Sequence, residues 1–157
     1  MRWAFITLQE RDRIYKKFLA GAKKMKVLFV CSGNAYRSAV AEALLRKFRP
    51  DIEADSAGID PAIPVSEEAK RYLSRENATQ HLKKAPEGLD TKPLEEYDLI
   101  VAMKPMHEEA VLKQCAKCAD KIVIWDIDDP YFLPHGHAER IFEQIKEKVM
   151  KLANSLH

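Results

Sequence analysis

The residues best able to do chemistry stand together near one end of the chain, in Val30-Cys31-Ser32-Gly33-Asn34-Ala35-Tyr36-Arg37-Ser38. A cysteine followed after five residues by an arginine means little alone, because short spacings recur by chance. Its setting gives it weight. Val27-Leu28-Phe29-Val30 is an unbroken apolar run, the pattern of a strand covered on both faces, and it ends at Cys31. Apolar residues at Val40, Ala41, Leu44, Leu45 and Phe48 then recur at helical spacing as far as Pro50, so a helix begins at the arginine. Between strand and helix, Gly33 and Asn34 tolerate left-handed backbone angles. Such a loop turns successive N–H groups inward as an anion nest, and the helix N-terminus adds partial positive charge.

Each side chain of the loop then has a task suited to its type. A thiol held in that field ionises readily, which makes Cys31 a nucleophile toward phosphorus. Arg37 can grip two phosphate oxygens with its planar fork. Ser38 either caps the helix or donates to the Cys31 sulfur, and Asn34 braces the loop. Ser32, Gly33, Ala35 and Tyr36 complete the expected phosphate-binding wall. A thiolate that attacks phosphorus must also expel an alkoxide or phenolate, and a nearby carboxylic acid speeds this by roughly 10²–10⁴-fold. Trp125-Asp126-Ile127-Asp128-Asp129-Pro130-Tyr131-Phe132 offers three acids. Aspartates before proline are usually turn residues, but this loop is expected on the same rim as Cys31, and Pro130 stiffens it. Asp129 is the expected acid, with Tyr131 and Phe132 as a wall for an aromatic leaving group.

The elements that must position these groups alternate along the chain. A weaker strand is expected over 52–55, then a helix after Ser66 that carries Ala69, Tyr72 and Leu73. Residues 76–97 read as loops with one helical turn. Strands follow over 99–102 and 122–125, with Pro105 opening a helix between them at a position where its missing N–H costs nothing. A last helix places Ile141, Phe142, Ile145, Val149 and Leu152 on one face. The alternation predicts an α/β fold: a three-layer sandwich with a four-stranded parallel sheet and sites beyond the carboxyl ends of its strands.

At 157 residues, 46% hydrophobic and 32% charged, the chain is expected to form an ordinary soluble domain. The net charge of +2 is unevenly spread: residues 1–24 carry seven basic and two acidic side chains, leaving the rest at −3. A body of that charge argues against nucleic acid as a partner. Residues 8–22 read as an amphipathic helix with Leu8, Ile14, Tyr15, Phe18 and Leu19 on one side, broken at Gly21. The expected division is therefore a basic helical N-terminal extension, 1–24, and a domain over 25–157, with Met25 as an alternative start. No run approaches the roughly 18 apolar residues that span a bilayer, and the run at 3–8 is too short for a secretory core. A cytoplasmic location, where thiols stay reduced, is expected. The sequence sets no oligomeric state.

Taken together, the segments 26–155 resemble the low-molecular-weight protein tyrosine phosphatase family. The resemblance rests on Cys31-x-Gly33-Asn34-x-x-Arg37-Ser38, Ala41-Glu42-Ala43, Asp55-Ser56-Ala57-Gly58, Tyr97-Asp98-Leu99-Ile100-x-Ala102-Met103 and Asp129-Pro130-Tyr131. It implies a phosphotyrosine phosphatase I-like fold and a phosphocysteine intermediate without metal or cofactor. The implied substrates are phosphotyrosine proteins or small aryl phosphates. It carries Cys31 as nucleophile, Arg37 as clamp and Asp129 as acid, with Asn34, Ser38, Ser56 and His81 as supports. Two positions depart from the pattern: Tyr36 stands where members often have a second cysteine, and Lys104 where many carry an aspartate. Three other readings remain open at this level. An arsenate reductase would use Cys31 with Cys115 and Cys118, although Met103 stands where those enzymes carry a thiol. Cys115 and Cys118 with His135 and His137 could hold zinc, or the two cysteines could be solvent-facing thiols or a disulfide. A phosphotyrosine-binding module would hold its ligand without cleaving it.

Overall fold

The structure, a computed structural model, describes residues 7–21, 24–134 and 136–156. Its strands are β1 (Lys26–Cys31), β2 (Glu53–Gly58), β3 (Leu99–Ala102) and β4 (Ile122–Ile124), all parallel, in the order β2-β1-β3-β4. The helices are α1 (Leu8–Gly21), α2 (Arg37–Phe48), α3 (Glu67–Arg75), α4 (Pro105–Gln114) and α5 (His137–Ser155). Side chains alternate across each strand, so β1 feeds two cores. Val27, Phe29 and Cys31 join one with Leu44, Tyr72 and Phe142, beneath α2, α3 and α5. Leu28 and Val30 join another with Ile100 and Val111, beneath α4. Helices therefore cover both faces of the sheet, which explains the unbroken apolar run of β1.

Strand β2 runs three residues further than the sequence pattern indicates. Ser56, Ala57 and Gly58 pair with Phe29, Val30 and Cys31, so the ladder extends the strand where its hydrophobicity fades. The segment 76–97 holds not one helical turn but three short 3-10 turns, at Thr79–His81, Leu89–Thr91 and Leu94–Glu96. Helix starts follow local chemistry: the Ser66 hydroxyl accepts from the Ala69 N–H at 3.0 Å, and Pro105 opens α4.

The order of strands reverses direction between β1 and β3, and the crevice at such a point is where doubly wound sheets place their ligands. The loops after β1, β3 and β4 all leave from that carboxyl rim. The other rim carries α1. Thr7 and Glu10 exchange backbone and side-chain hydrogen bonds at 3.1 and 2.8 Å, a capping box. Arg13 donates to the Asp120 carbonyl at 2.6 Å, and Ile14 is buried in the α2/α5 core. Leu8 is 70% exposed, contrary to the expected apolar face. At 3.6 residues per turn, six residues leave Leu8 and Ile14 about 120° apart around the helix. The side chains of Tyr15, Phe18 and Leu19, and the whole of His135, lie outside the described residues. Among the described residues no helix is long and apolar enough to cross a membrane.

Cys115 and Cys118 are joined as a disulfide and are buried, not solvent-facing thiols. They follow α4 at the end opposite its start on the carboxyl rim, and a ten-residue helix separates them from that rim by roughly 15 Å. They pack with Leu28 and Ile100 in the second core. If Ile14 anchors the extension, Ile14→Ala should lower the unfolding free energy by about 2–4 kcal/mol, read from urea midpoints of the full chain.

Candidate active site

The loop after β1 carries the thiol on a strand end and the guanidinium on the first turn of α2. Cys31, Asn34, Arg37 and Ser38 are all buried. Asn34 alone in the loop has a left-handed backbone, with φ 54°. Gly33 does not, so the loop's turn is made by the asparagine. The glycine that the loop cannot do without is Gly58, at the end of β2. A Cβ there would stand 2.7 Å from the Ser32 carbonyl oxygen and 2.8 Å from the Asn34 nitrogen. Strand β2 meets the loop backbone with no side chain between them.

The hydrogen-bond directions around the thiol are forced. The Glu87 N–H donates to Asn34 Oδ1 at 2.9 Å, which turns the asparagine's NH₂ toward two serines. That NH₂ donates to Ser38 Oγ at 2.8 Å and to Ser56 Oγ at 2.9 Å. Ser38 therefore has its own proton to give, to Cys31 Sγ at 2.9 Å in preference to the Ala57 carbonyl at 3.5 Å, and the Asn34 N–H points at the same sulfur at 3.3 Å. Ser38 does not cap α2; that position falls to Tyr36, which makes no capping bond. On the other side Ser56 Oγ donates to Glu42 Oε1 at 2.6 Å. Burial raises the Glu42 carboxyl above its ordinary range, and the Ser56 hydroxyl, Lys83 and Arg46 offset part of that rise. Lys83 Nζ reaches the Ser56 carbonyl at 2.8 Å, Ser56 Oγ at 3.1 Å and Glu87 at 2.7 Å. The side chain from this segment that joins the network is thus Lys83. His81, two residues earlier, contributes a backbone N–H to the Ala78 carbonyl.

Arg37 is fixed by the loops after β1 and β4. Its Nη1 donates to the Ile127 carbonyl at 2.8 Å, and its Nη2 stands 3.3 Å from Asp129 Oδ2 and 3.4 Å from Ser32 Oγ. The three aspartates of the β4 loop are separated by partner. Asp126 and Asp128 both bind Lys104 Nζ, at 2.7 and 2.8 Å, which lowers the Asp128 carboxyl below its usual range and raises the Lys104 amine. Asp129 faces the guanidinium, and its Oδ1 accepts the Tyr131 N–H at 3.0 Å. Lys104 therefore ties down the acid loop.

Cys31, Gly33, Ala35, Tyr36, Arg37 and Asp129 line a cavity of about 260 Å³ whose mouth is formed by Asp60, Ala62, Ile63, Tyr131 and Phe132. Tyr131 is 60% exposed and meets Tyr36 edge to face, with ring centres 6.4 Å apart. Tyr36 in turn stacks on Phe142. Burial, then Glu68 and Asp129, raise the Tyr36 hydroxyl, which stays neutral. The cavity can hold a tetrahedral anion with a flat group between aromatic walls.

One residue at the site escapes sequence reasoning. His107, fully buried, places Nε2 3.0 Å from Ser32 Oγ and accepts the Lys104 N–H on Nδ1 at 3.0 Å. A signal for it existed: Pro105 at the first helical position makes 107 the third, where a polar side chain folds back onto the cap. Burial, then Arg37 and Lys104, push this histidine down to about 4.

Residues 26–157 match the family model described as low molecular weight phosphotyrosine protein phosphatase. The low molecular weight protein-tyrosine-phosphatase Wzb of Salmonella typhi is 30% identical over 147 residues, covering 84% of this chain and 94% of its own. The crystal structure of a low molecular weight protein tyrosine phosphatase from T. tengcongensis superposes with a TM-score of 0.75 at 31% identity, covering 85% of this chain and all of that one. A protein-arginine-phosphatase of Bacillus subtilis is 25% identical, over 84% of this chain and 94% of its own.

The histidine sets a pH dependence of stability. Its ordinary value is 6.5, so as pH falls from about 6.5 toward 4 the unfolded chain takes up a proton that the folded chain refuses. Stability should decline across that window. His107→Asn should remove this part of the slope, checked by urea unfolding at a series of pH values.

Proposed function

The chain belongs to the low molecular weight phosphotyrosine protein phosphatase family and is a phosphate monoester hydrolase, and from that premise we propose that it removes phosphate from tyrosine through a phosphocysteine on Cys31. The observation that carries the proposal is the convergence on one cavity of a sulfur with two donors, a pinned guanidinium and a carboxyl. The Ser38 hydroxyl and Asn34 N–H stabilise the Cys31 thiolate. The sulfur attacks phosphorus while the P–O bond to the leaving group breaks, and Asp129 gives its proton to the departing oxygen. Arg37 follows the equatorial oxygens through the transition state. In the second step a water loses its proton to Asp129, attacks phosphorus and releases Cys31 as thiolate. Ser32, Gly33, Ala35 and Tyr36 complete the basin, and Tyr131 forms its outer wall.

The substrate class is read from the mouth of the cavity. Tyr36, Tyr131 and Phe132 favour an aromatic ester, either a phosphotyrosine protein or a small aryl phosphate. We place the reaction in the cytoplasm, where the nucleophilic thiol stays reduced. The domain proper is assigned to 25–157, with 1–24 as a basic helical extension. The arsenate reductase reading loses its support, because Cys115 and Cys118 lie beyond a ten-residue helix, roughly 15 Å from the rim that carries Cys31. For zinc, the disulfide removes the thiolate pair as ligands. A binding module would have no use for a carboxyl beside the clamp nitrogen.

Four outcomes test the assignment. Hydrolysis of para-nitrophenyl phosphate should need no added metal, and phosphotyrosine peptides should be preferred to phosphoarginine peptides; the reverse order would move the substrate to a phosphoramidate. Cys31→Ser should still bind inorganic phosphate while turnover drops on the order of 10⁴-fold or more. Asp129→Ala should slow phenyl phosphate by roughly 10²-fold yet spare the nitrophenyl ester, whose leaving group needs little protonation. Equal losses on both esters would point to another acid.

A further inference from the structure

We propose that His107 is a positioning residue for the Arg37 clamp, acting through the Ser32 hydroxyl; the proposal rests on the phosphatase reading above. The hydrogen bonds fix the protonation of the imidazole. A backbone N–H can only donate, so Lys104 N, 3.0 Å from Nδ1, makes Nδ1 the acceptor and puts the ring proton on Nε2. Nε2 then donates to Ser32 Oγ at 3.0 Å. Arg37 Nη2 donates to the same oxygen at 3.4 Å. Both lone pairs of the hydroxyl are taken by donors, so its own proton must point away from the guanidinium.

The consequence is a guanidinium held on both terminal nitrogens. Ile127 O fixes Nη1, and the Ser32 oxygen, itself held by His107, fixes Nη2. Nη2 is also the nitrogen that faces Asp129. It therefore faces the acid and is placed to meet a phosphate oxygen. Without the histidine donor, the Ser32 hydroxyl is free to rotate, and Nη2 loses a fixed acceptor. The contact joins residues 75 apart in sequence and crosses the crevice between β1 and β3. It links the start of α4 to the reacting centre directly.

Two substitutions separate positioning from structure. Asparagine at 107 puts a carbonyl oxygen where Nδ1 stands, so it keeps the Lys104 contact but falls short of Ser32. Glutamine reaches Ser32 with its NH₂ but gives up the Lys104 contact. His107→Asn should lower kcat on para-nitrophenyl phosphate about tenfold with KM little changed, and His107→Gln should recover most of that loss. Ser32→Ala should cost a similar factor, and adding His107→Asn to it should cost nothing more. Wild-type kcat in His107→Asn, additive losses in the double variant, or losses that follow melting temperature with glutamine no better than asparagine would each overturn the proposal. Nitrogen NMR of wild-type His107 gives a readout independent of turnover: a proton on Nδ1 also overturns it. An inactive wild type with the Nε2 proton in place would instead sink the phosphatase reading alone.

Discussion

One hydrogen bond, from the Glu87 backbone N–H to Asn34 Oδ1, sets the direction of the side-chain bonds that lead to the sulfur. It decides which way the asparagine amide faces. Once that is fixed, the NH₂ group must serve Ser38 and Ser56, Ser56 must pass its proton toward Glu42, and Ser38 must offer its own to Cys31. All five side chains are buried, so a reversed amide would leave donors facing donors where water cannot intervene. The donors to the sulfur are thus fixed by the protein's own bonds, which is the condition for electrostatic stabilisation without reorganisation.

The fold supplies this arrangement by stacking loops at one rim. The thiol loop ends β1, the Lys104–His107 turn ends β3 and the acid loop ends β4, while β2 contributes Ser56 and the bare backbone at Gly58. Lys104 works in two directions: its N–H holds His107 within its own turn, and its amine holds Asp126 and Asp128 of the acid loop. The amine stands where the resemblance leads one to expect an aspartate. Here the position binds two acids, and Asp129 is left to the guanidinium. The β2 edge has its own polar ties. Asp55 is held below its usual range although burial opposes this, because Tyr97 and Lys92 donate to it.

Much of this was legible in the chain. Three apolar runs, one weaker alternating segment and three helical periodicities gave the sheet and its alternation, because burial on both faces leaves a simple composition pattern. Cys31, Arg37 and Asp129 were legible because the loops that carry them join elements with strong periodicity. The segment 76–97 was not, since its 3-10 turns have no repeat long enough to see. Lys83 acts on Ser56 across 27 positions and Glu87 on Asn34 across 53, and local pattern holds no trace of such contacts. Expecting His81 there followed the resemblance; a lysine amine makes the contacts instead. The cysteine pair looked exposed because it follows a helix end, but that end is folded under α4 into the second core.

Tyr36 has a consequence for the enzyme's life under oxidants. It stands at the loop position where the resemblance leads one to expect a second cysteine, and the other two cysteines are already bonded to each other toward the opposite rim. A Cys31 oxidised to the sulfenic acid therefore meets no sulfur within the molecule to trap it at a reversible stage. Repair falls to a thiol from solution, which must pass between Tyr131, Phe132 and Ile63 to reach the bottom of the cavity. The aromatic gate that selects a flat ester thus also selects the reductant.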